Sequence, residues 1–207
     1  MARISYVPVE QISDPELAGY LRYAALHGTP RPEIQAIRAH APEVMRTSTR
    51  TWNTAFQDGV VDHAVKELCR VYVSHSVKCE YCGNQRSERG REQGLEEGKY
   101  DELLNFESSE TYTEREKAAL AYAEAIVWTG TADDALWDRL NAHFGEAELV
   151  ELGCMVGLTL GQQSWLRLLN IDHHQVMPGT SASMAPGFET ADALAQSKSS
   201  ERYWAHT

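Results

Sequence analysis

Residues 61–82 read VDHAVKELCRVYVSHSVKCEYC and decide how this chain folds. In the first part of the stretch, apolar side chains recur at spacings of three and four residues, which is the pattern of one face of an α-helix. The residues on this face are Val61, Ala64, Val65, Leu68 and Tyr72. The pattern predicts a helix from about Val61 to Ser76, followed closely by two cysteines.

The motif Cys79-Glu80-Tyr81-Cys82 places two thiols three residues apart. On a helix, positions i and i+3 lie about 60° apart around the axis, so both sulfurs face one patch of space and can form a reversible disulfide. If the motif opens a helix, unpaired backbone N–H groups and the helix dipole stabilise a thiolate there. There are two alternatives to a redox disulfide: the cysteines form half of a zinc site, or they are ordinary, half-buried residues.

The other candidate ligands near the motif do not complete a zinc site. A structural zinc ion takes four ligands, usually from two well-spaced pairs. Cys79, Cys82 and His75 would still lack the fourth, so we predict no metal site. The two remaining cysteines, Cys69 and Cys154, lie in apolar helical surroundings and are expected to pack as small hydrophobic residues.

Nearly every other segment also has a helical period, and no alternating strand run or Asn-Gly hairpin occurs. Three capping patterns predict further helix starts. They are Ser13 with Glu16, Thr113 with Glu116, and Thr131 with Asp134. Pro42 is expected to open another helix, and Gly161 is expected to interrupt the last one. The sequence therefore predicts an all-α fold.

Composition excludes several classes of partner. The chain has 207 residues, 43% of them hydrophobic, and a formal charge of −11 with a pI of about 5.2. This charge disfavours nucleic acid as a partner. No apolar run approaches the roughly 20 residues that span a bilayer, and the first residues lack the apolar core of a signal peptide. We therefore expect a cytoplasmic protein without a membrane partner.

The chain divides into three parts by composition. Residues 1–31 form an N-terminal helical extension that ends in a proline-rich break, and residues 32–174 form the main helical domain. Residues 175–207 are rich in serine and alanine, and we expect them to be a tail or an arm that reaches a partner.

Lys66-Glu67-Leu68 together with Cys79-Glu80-Tyr81-Cys82 resembles the core of the carboxymuconolactone decarboxylase and alkylhydroperoxidase D (AhpD) superfamily. The family pattern is Glu, eleven residues, Cys-x-x-Cys, three residues, His. The similarity continues in residues 113–123 and 148–158 and covers about Pro32 to Ile171. It implies an all-helical, AhpD-like subunit that oligomerises, as a homotrimer or a homohexamer.

The resemblance also implies roles for individual residues. Cys82 corresponds to the thiol that attacks the substrate, Cys79 to the resolving thiol, and Glu67 to the base. The implied function is a thiol-dependent oxidoreductase that reduces a hydroperoxide, another small molecule or a disulfide. Its redox group is the Cys79–Cys82 disulfide, without another cofactor, and an external thiol or dithiol reduces it. True carboxymuconolactone decarboxylases generally lack the cysteine pair, so the pair favours the redox branch.

The chain departs from the family pattern at two positions. Arg86 stands where the family has histidine, and an arginine cannot give up a proton at neutral pH. As residue i+4 on the same helix face as Cys82, Arg86 is expected to stabilise a thiolate, to bind a substrate carboxylate, or to be a surface cation. Tyr81 replaces a histidine often found inside the motif, and Tyr81 and His75 are, like Arg86, candidates for contacting the substrate or stabilising the thiolate. His63, four residues before Glu67, is a candidate for orienting that carboxylate.

Two other functions remain open at this point. One is a lyase, decarboxylase or isomerase on the same scaffold, with Glu67 moving a proton and Arg86 binding a substrate anion. The other is a non-catalytic subunit that senses redox state or supports assembly. Activity that depends on the thiols would distinguish the oxidoreductase from the lyase, decarboxylase or isomerase. Any turnover at all would distinguish these two enzymes from the non-catalytic subunit.

Overall fold

The computed structural model describes residues 2–27, 31–171 and the pair Ser183–Met184. In chain order its α-helices are α1 (Pro15–His27), α2 (Pro32–Arg38), α3 (Pro42–Trp52), α4 (His63–Ser76), α5 (Glu80–Gly83), α6 (Glu88–Glu92), α7 (Glu97–Asp101), α8 (Glu114–Glu124), α9 (Asp134–Asn141) and α10 (Glu146–Leu166). Short 3-10 helices cover Val9–Gln11, Leu103–Asn105 and Arg167–Leu169, and π-helical turns cover Asn53–Gln57 and Ala125–Thr129. The strands are β1 (Gln85–Arg86) and β2 (Ser183–Met184). The prediction of an all-α fold is confirmed.

The chain forms two compact units. The first comprises the described residues of Met1–Thr51, Glu80–Glu88 and Trp165–Thr207, and the second comprises Trp52–Cys79 and Arg89–Ser164. The predicted tail, residues 175–207, lies outside the described residues apart from β2. Within the part of the chain that the structure describes, no helix is both long and apolar enough to cross a bilayer.

The first unit is built on the packing of α1 against α2 and α3. Its core contains Leu17, Leu21, Ala36 and Met45, flanked by Tyr6, Val9, Ile12, Tyr20 and Ala39. Asp14, rather than the predicted Ser13, caps α1, because its carboxylate accepts the N–H groups of Glu16 and Leu17. An Asp side chain followed by Pro15 at the first helical position is a favourable start, since proline has no N–H that needs a partner.

In the first unit, the strand β1 pairs with β2. The pairing is antiparallel, with Gln85 opposite Met184 and Arg86 opposite Ser183. No alternating pattern marks this two-residue ladder in the sequence, which explains why only helices were predicted.

The second unit surrounds α4, which packs against α7 and α8. Its buried side chains include Phe56, Val65, Leu68, Val71, Tyr72, Leu103, Leu120, Leu152 and Met155. Helix α8 starts with the predicted capping box, in which Thr113 and Glu116 satisfy each other's backbone N–H groups. For α9 the cap is Asp133 rather than Thr131. Helix α10 continues through Gly161, contrary to prediction, because a glycine inside a long packed helix costs only about 1 kcal/mol.

A buried ion pair ties α4 to α10 within this unit. Lys66 Nζ lies 2.8 Å from Glu151 Oε1, and their side chains are 1% and 13% exposed. The Glu151 carboxylate also accepts the backbone N–H groups of Val60 and Val61 at 2.6 and 3.2 Å. Gly59 makes this approach possible, because its φ is +90° and a Cβ there would overlap the carboxylate. Burial raises the pKa of Glu151, but the bonds from Lys66 and the two amides outweigh it, so the pKa lies below its ordinary value.

Replacing Glu151 by glutamine is expected to lower the free energy of unfolding by about 3 kcal/mol, because it leaves a buried ammonium without its counter-ion. Urea denaturation measures the loss, and the exposed Glu146→Gln is the matched control, with an expected change within about 0.5 kcal/mol. The native state depresses the Glu151 pKa, so its stabilisation exists at neutral pH. The difference between variant and wild type should therefore shrink as the pH falls below the ordinary value of 4.5. Equal stabilities at neutral pH would contradict this account of the ion pair.

Candidate functional site

Glu67 is a buried acid on α4. A glutamate between Lys66 and Arg70 usually lies in solvent, but this residue is 0% exposed. The Arg70 guanidinium binds it through two bonds, Nε to Oε2 at 2.6 Å and Nη2 to Oε1 at 2.8 Å. Burial alone would lower the pKa of Arg70, and Glu67 raises it above its ordinary value. The pair is therefore a carboxylate and a guanidinium, both charged and both removed from water.

Gly90 on α6 lies directly over the Glu67 side chain. A Cβ at Gly90 would be 3.4 Å from Glu67 Cγ and 3.2 Å from Leu95 Cδ1. The absence of a side chain at this position lets α6 cover the methylene part of Glu67. Sequence reasoning missed Gly90 and Arg70, although the i, i+3 spacing of Glu67 and Arg70 is a recognisable signal for an ion pair.

His63 occupies the first position of α4, one turn before Glu67. Its Nδ1 lies 3.1 Å from the Phe56 carbonyl oxygen, and the two rings have centroids 4.6 Å apart. Burial lowers the pKa of His63 to about 4, with Arg89 and Lys66 adding to the effect while Glu67 and the Phe56 carbonyl oppose it. The imidazole is therefore neutral at physiological pH.

The end of α4 fixes the position of Cys79. The Cys79 N–H donates to the Ser74 carbonyl at 2.9 Å, and the Lys78 N–H donates to the His75 carbonyl at 3.1 Å. Lys78 has a φ of +56°. Together these features form a Schellman motif in which a lysine occupies the left-handed position that glycine usually takes. The strained residue thus immediately precedes the first cysteine.

Cys79 and Cys82 are disulfide-bonded, whereas Cys69 and Cys154 are free thiols. Both bonded cysteines are buried, and Cys79 immediately precedes the single turn of α5. The CxxC motif therefore does open a helix, but one turn provides little of the expected helix dipole. Cys69 is buried as predicted and burial raises the pKa of its thiol, whereas Cys154 is exposed, contrary to prediction.

Tyr81, between the two cysteines, is anchored inside the first unit. Its hydroxyl donates to Glu33 Oε2 at 3.1 Å, and the Arg31 guanidinium lies 5.0 Å from the centre of its ring. Arg31 in turn binds both oxygens of Glu33, at 3.2 and 3.3 Å. Burial, with Glu33 adding to it, raises the pKa of Tyr81 well above its usual value. The phenol therefore stays protonated and holds the motif against the start of α2.

Arg86 lies in β1 rather than on a continuation of the CxxC helix. Helix α5 ends at Gly83, and the Arg86 Nη1 donates to the Gly83 and Gln85 carbonyls at 2.7 and 3.1 Å. The predicted i+4 helical relation to Cys82 is therefore wrong, and so is the alternative of a surface cation, because Arg86 is buried. The guanidinium thus satisfies the Gly83 carbonyl, which the short helix leaves without an intrahelical partner.

His75 lies half-buried in the last turn of α4, where its carbonyl accepts the Lys78 N–H. Among the residues that the structure describes, no three His, Cys, Asp or Glu side chains are grouped so that they could hold a metal ion. The second unit offers a buried carboxylate, Glu67, and a neutral imidazole, His63, which are groups that can move protons. The Cys79–Cys82 disulfide is a group that can exchange electrons.

Known proteins are similar to the part of the chain that contains these residues. The family model of the carboxymuconolactone decarboxylase family matches residues 42–125, which include Glu67, both cysteines of the motif and Arg86. YnjA of Escherichia coli is 33% identical over 99 residues, 47% of this chain and 54% of that protein. Rv2313c of Mycobacterium tuberculosis is 32% identical over 95 residues, 44% of this chain and 33% of that protein. The chain thus aligns with about half or less of the length of these relatives.

The fold agrees with solved structures. A peroxidase-related AhpD-core protein from Ralstonia eutropha superposes with a TM-score of 0.70 and 13% identity, over 87% of this chain and 96% of that one. The debrominase Bmp8, bound to 2,3,4-tribromopyrrole, superposes with a TM-score of 0.63 and 16% identity, over 86% of this chain and 95% of that one. At such identities the likeness concerns the fold. Residues 42–125 thus resemble the carboxymuconolactone decarboxylase family, and the fold is similar to the AhpD-like fold of these solved structures.

Proposed function

We propose that this protein is a thiol-dependent oxidoreductase whose redox group is the Cys79–Cys82 disulfide. The observation that carries the proposal is that these two cysteines are disulfide-bonded while Cys69 and Cys154 are free. The buried Glu67, at the family's glutamate position, supports it because a thiol needs a base to become a thiolate.

The proposed cycle starts from the reduced pair. Glu67 takes the proton of Cys82, and the thiolate attacks a hydroperoxide, whose O–O bond breaks to give Cys82–SOH and an alcohol after the proton returns. The Cys79 thiol then condenses with the sulfenic acid, forming the disulfide and releasing water. An external dithiol reduces the disulfide and is itself oxidised. With a disulfide substrate, the Cys82 thiolate breaks the substrate S–S bond, forms a mixed disulfide and releases one substrate thiolate. Cys79 then attacks Cys82, which forms the Cys79–Cys82 disulfide and releases the second substrate thiol.

The presence of Arg86 favours a disulfide over a hydroperoxide as the substrate. An arginine at the family's histidine position donates no proton to a departing alkoxide, which is strongly basic, so the proton that the alkoxide needs has to come back from Glu67. A departing thiolate needs none near neutral pH, since a thiol has a pKa of about 8.5. We therefore propose that the protein exchanges disulfides faster than it reduces peroxides.

The test is dithiol-dependent turnover of wild type on a small disulfide and on a hydroperoxide. Faster peroxide turnover would contradict this preference, and no turnover on either would contradict the proposed function.

A second candidate is a lyase, decarboxylase or isomerase, with Glu67 moving a proton and Arg86 binding a substrate anion. The burial of both side chains supports it, since a buried carboxylate and guanidinium are strong groups for such work. In that reaction the cysteines are bystanders, so activity should persist when they are replaced. We also propose that the protein is cytoplasmic, that its substrate is a small molecule, and that His75 contacts the substrate or stabilises the thiolate.

We also propose that the chain assembles as a homotrimer or homohexamer. Val150, Cys154 and Gly157 lie on one stripe of α10, at spacings of four and three residues, and all are exposed. We expect light scattering to return three or six times the chain mass of 23.2 kDa at micromolar concentration. Val150→Glu should lower the mass, whereas Val44→Glu, at a similarly exposed position on α3, should not. A wild-type mass equal to one chain would overturn the proposal.

A further inference from the structure

His63 and Glu67 form a buried pair of titratable groups on one face of α4. They stand four residues apart, and their exposed fractions are 1% and 0%. Residues i and i+4 of a helix lie one above the other, and helical side chains lean towards the N-terminus. The two side chains therefore lie on one face of α4, where Glu67 acts on the charge of the imidazole while its carboxylate accepts two bonds from Arg70.

The hydrogen bond to Phe56 fixes the tautomer of the imidazole. A carbonyl oxygen only accepts, so the Nδ1 that lies 3.1 Å from it must carry the hydrogen. A neutral imidazole has one N–H, and Nε2 is consequently an acceptor. The charged groups that face His63 are Glu67 and Lys66 on α4 and Arg89 on α6.

The imidazole of His63 does not compete for the proton as a strong base. The pKa of His63 is about 4 in this setting, because burial and the two cations disfavour the imidazolium. A neutral imidazole with its hydrogen on Nδ1 presents a lone pair at Nε2, which can accept a hydrogen bond from a nearby acid.

We propose that His63 is a positioning residue that acts through Glu67, accepting at Nε2 the hydrogen bond of the Glu67 carboxyl group whenever that group is protonated. The inference rests on the proposed function, in which Glu67 takes the proton of a thiol. In that step the S–H bond breaks, an O–H bond forms on Glu67, and no electrons leave the sulfur. The new acid then donates to His63, which favours the state that contains the thiolate.

The matched variants are His63→Asn and His63→Gln. The amide nitrogen of asparagine approximates the position of Nδ1 and keeps a donor for the Phe56 carbonyl, but the variant has no group at the position of Nε2. Glutamine places an amide near Nε2, so its oxygen can accept the same hydrogen bond without titrating. Thermal unfolding of both variants establishes that they are folded.

The first readout is the pH dependence of alkylation of the reduced protein by iodoacetamide, followed at Cys79 and Cys82. We expect His63→Asn to raise the apparent pKa of the reactive thiol by about one unit, which is tenfold less thiolate below that pKa. His63→Gln should recover part of the shift. In the Glu67→Gln background, His63→Asn should have no further effect, because the group through which it acts is gone. An unshifted profile, or an equal shift in both backgrounds, overturns the proposal.

The second readout is the ¹⁵N spectrum of the histidine rings, assigned by comparison with His63→Asn. At pH 7 we expect His63 to be neutral with its hydrogen on Nδ1. An imidazolium, or a hydrogen on Nε2, overturns the proposal. Neither readout requires turnover, so a wild type that turns over no substrate defeats the proposed function and leaves the test of His63 intact.

Discussion

Replacing Cys82 by serine is expected to reduce dithiol-dependent turnover to the uncatalysed rate. A serine hydroxyl does not ionise near neutral pH and cannot form a disulfide, so both the attack and the storage of two electrons are lost. The measurement is consumption of a small disulfide and of a hydroperoxide with a dithiol donor, for wild type and variant at equal concentrations.

Two further cysteine variants make the result specific. Cys79→Ser should stop after the first attack, which leaves a trapped mixed disulfide or sulfenic acid on Cys82 that mass spectrometry detects. Cys154→Ser changes an exposed, free thiol and should leave turnover unchanged. Full activity of Cys82→Ser would contradict the assignment of the attacking thiol. If activity on some substrate survived loss of both motif cysteines, the lyase or isomerase reading would replace the redox reading.

Replacing Glu67 by glutamine is expected to lower turnover at pH 7 by about 10²–10⁴-fold, the usual contribution of a general acid or base. The loss should shrink towards pH 9, because a thiol with a pKa of about 8.5 ionises there without help. Turnover measured between pH 6 and 9 gives this profile. A loss of the same size at every pH would contradict a role in proton transfer.

The Glu67 variant also breaks a buried ion pair, and this effect must be separated from catalysis. Arg70 is left without its carboxylate, which typically costs about 3–5 kcal/mol of stability. The matched control is the double variant Glu67→Gln with Arg70→Met, which removes the uncompensated charge. If the double variant regains stability but not activity, the defect lies in the chemistry; recovery of both would assign Glu67 a structural role only.

The helices and the CxxC motif could be predicted from the sequence because the interactions that produce them are local. The capping box of Thr113 and Glu116 and the start of α3 at Pro42 were confirmed, and the family model matches residues 42–125, which contain the motif. These features depend on residues three or four positions apart, which a single sequence displays directly.

The failures have tertiary causes. Arg86 was placed on a helix, but α5 ends after one turn and β1 pairs with a segment about 100 positions later in the chain. The burial of Glu67 was not predictable, since its spacing within α4 is equally compatible with a solvated face. Likewise, nothing local distinguishes the exposed Cys154 from the buried Cys69. Where α5 ends and which of these side chains are buried depend on tertiary packing against distant parts of the chain.

The reversible disulfide is tested most directly by mass spectrometry of the tryptic peptide Cys79–Arg86, which contains both motif cysteines and follows a cleavage site at Lys78. The protein is equilibrated in glutathione buffers of increasing oxidation and then returned to excess dithiothreitol. We predict that the peptide loses the mass of two hydrogen atoms on oxidation and regains it on reduction, with no glutathione adduct remaining. Two free thiols in a buffer that keeps glutathione itself oxidised would contradict the account.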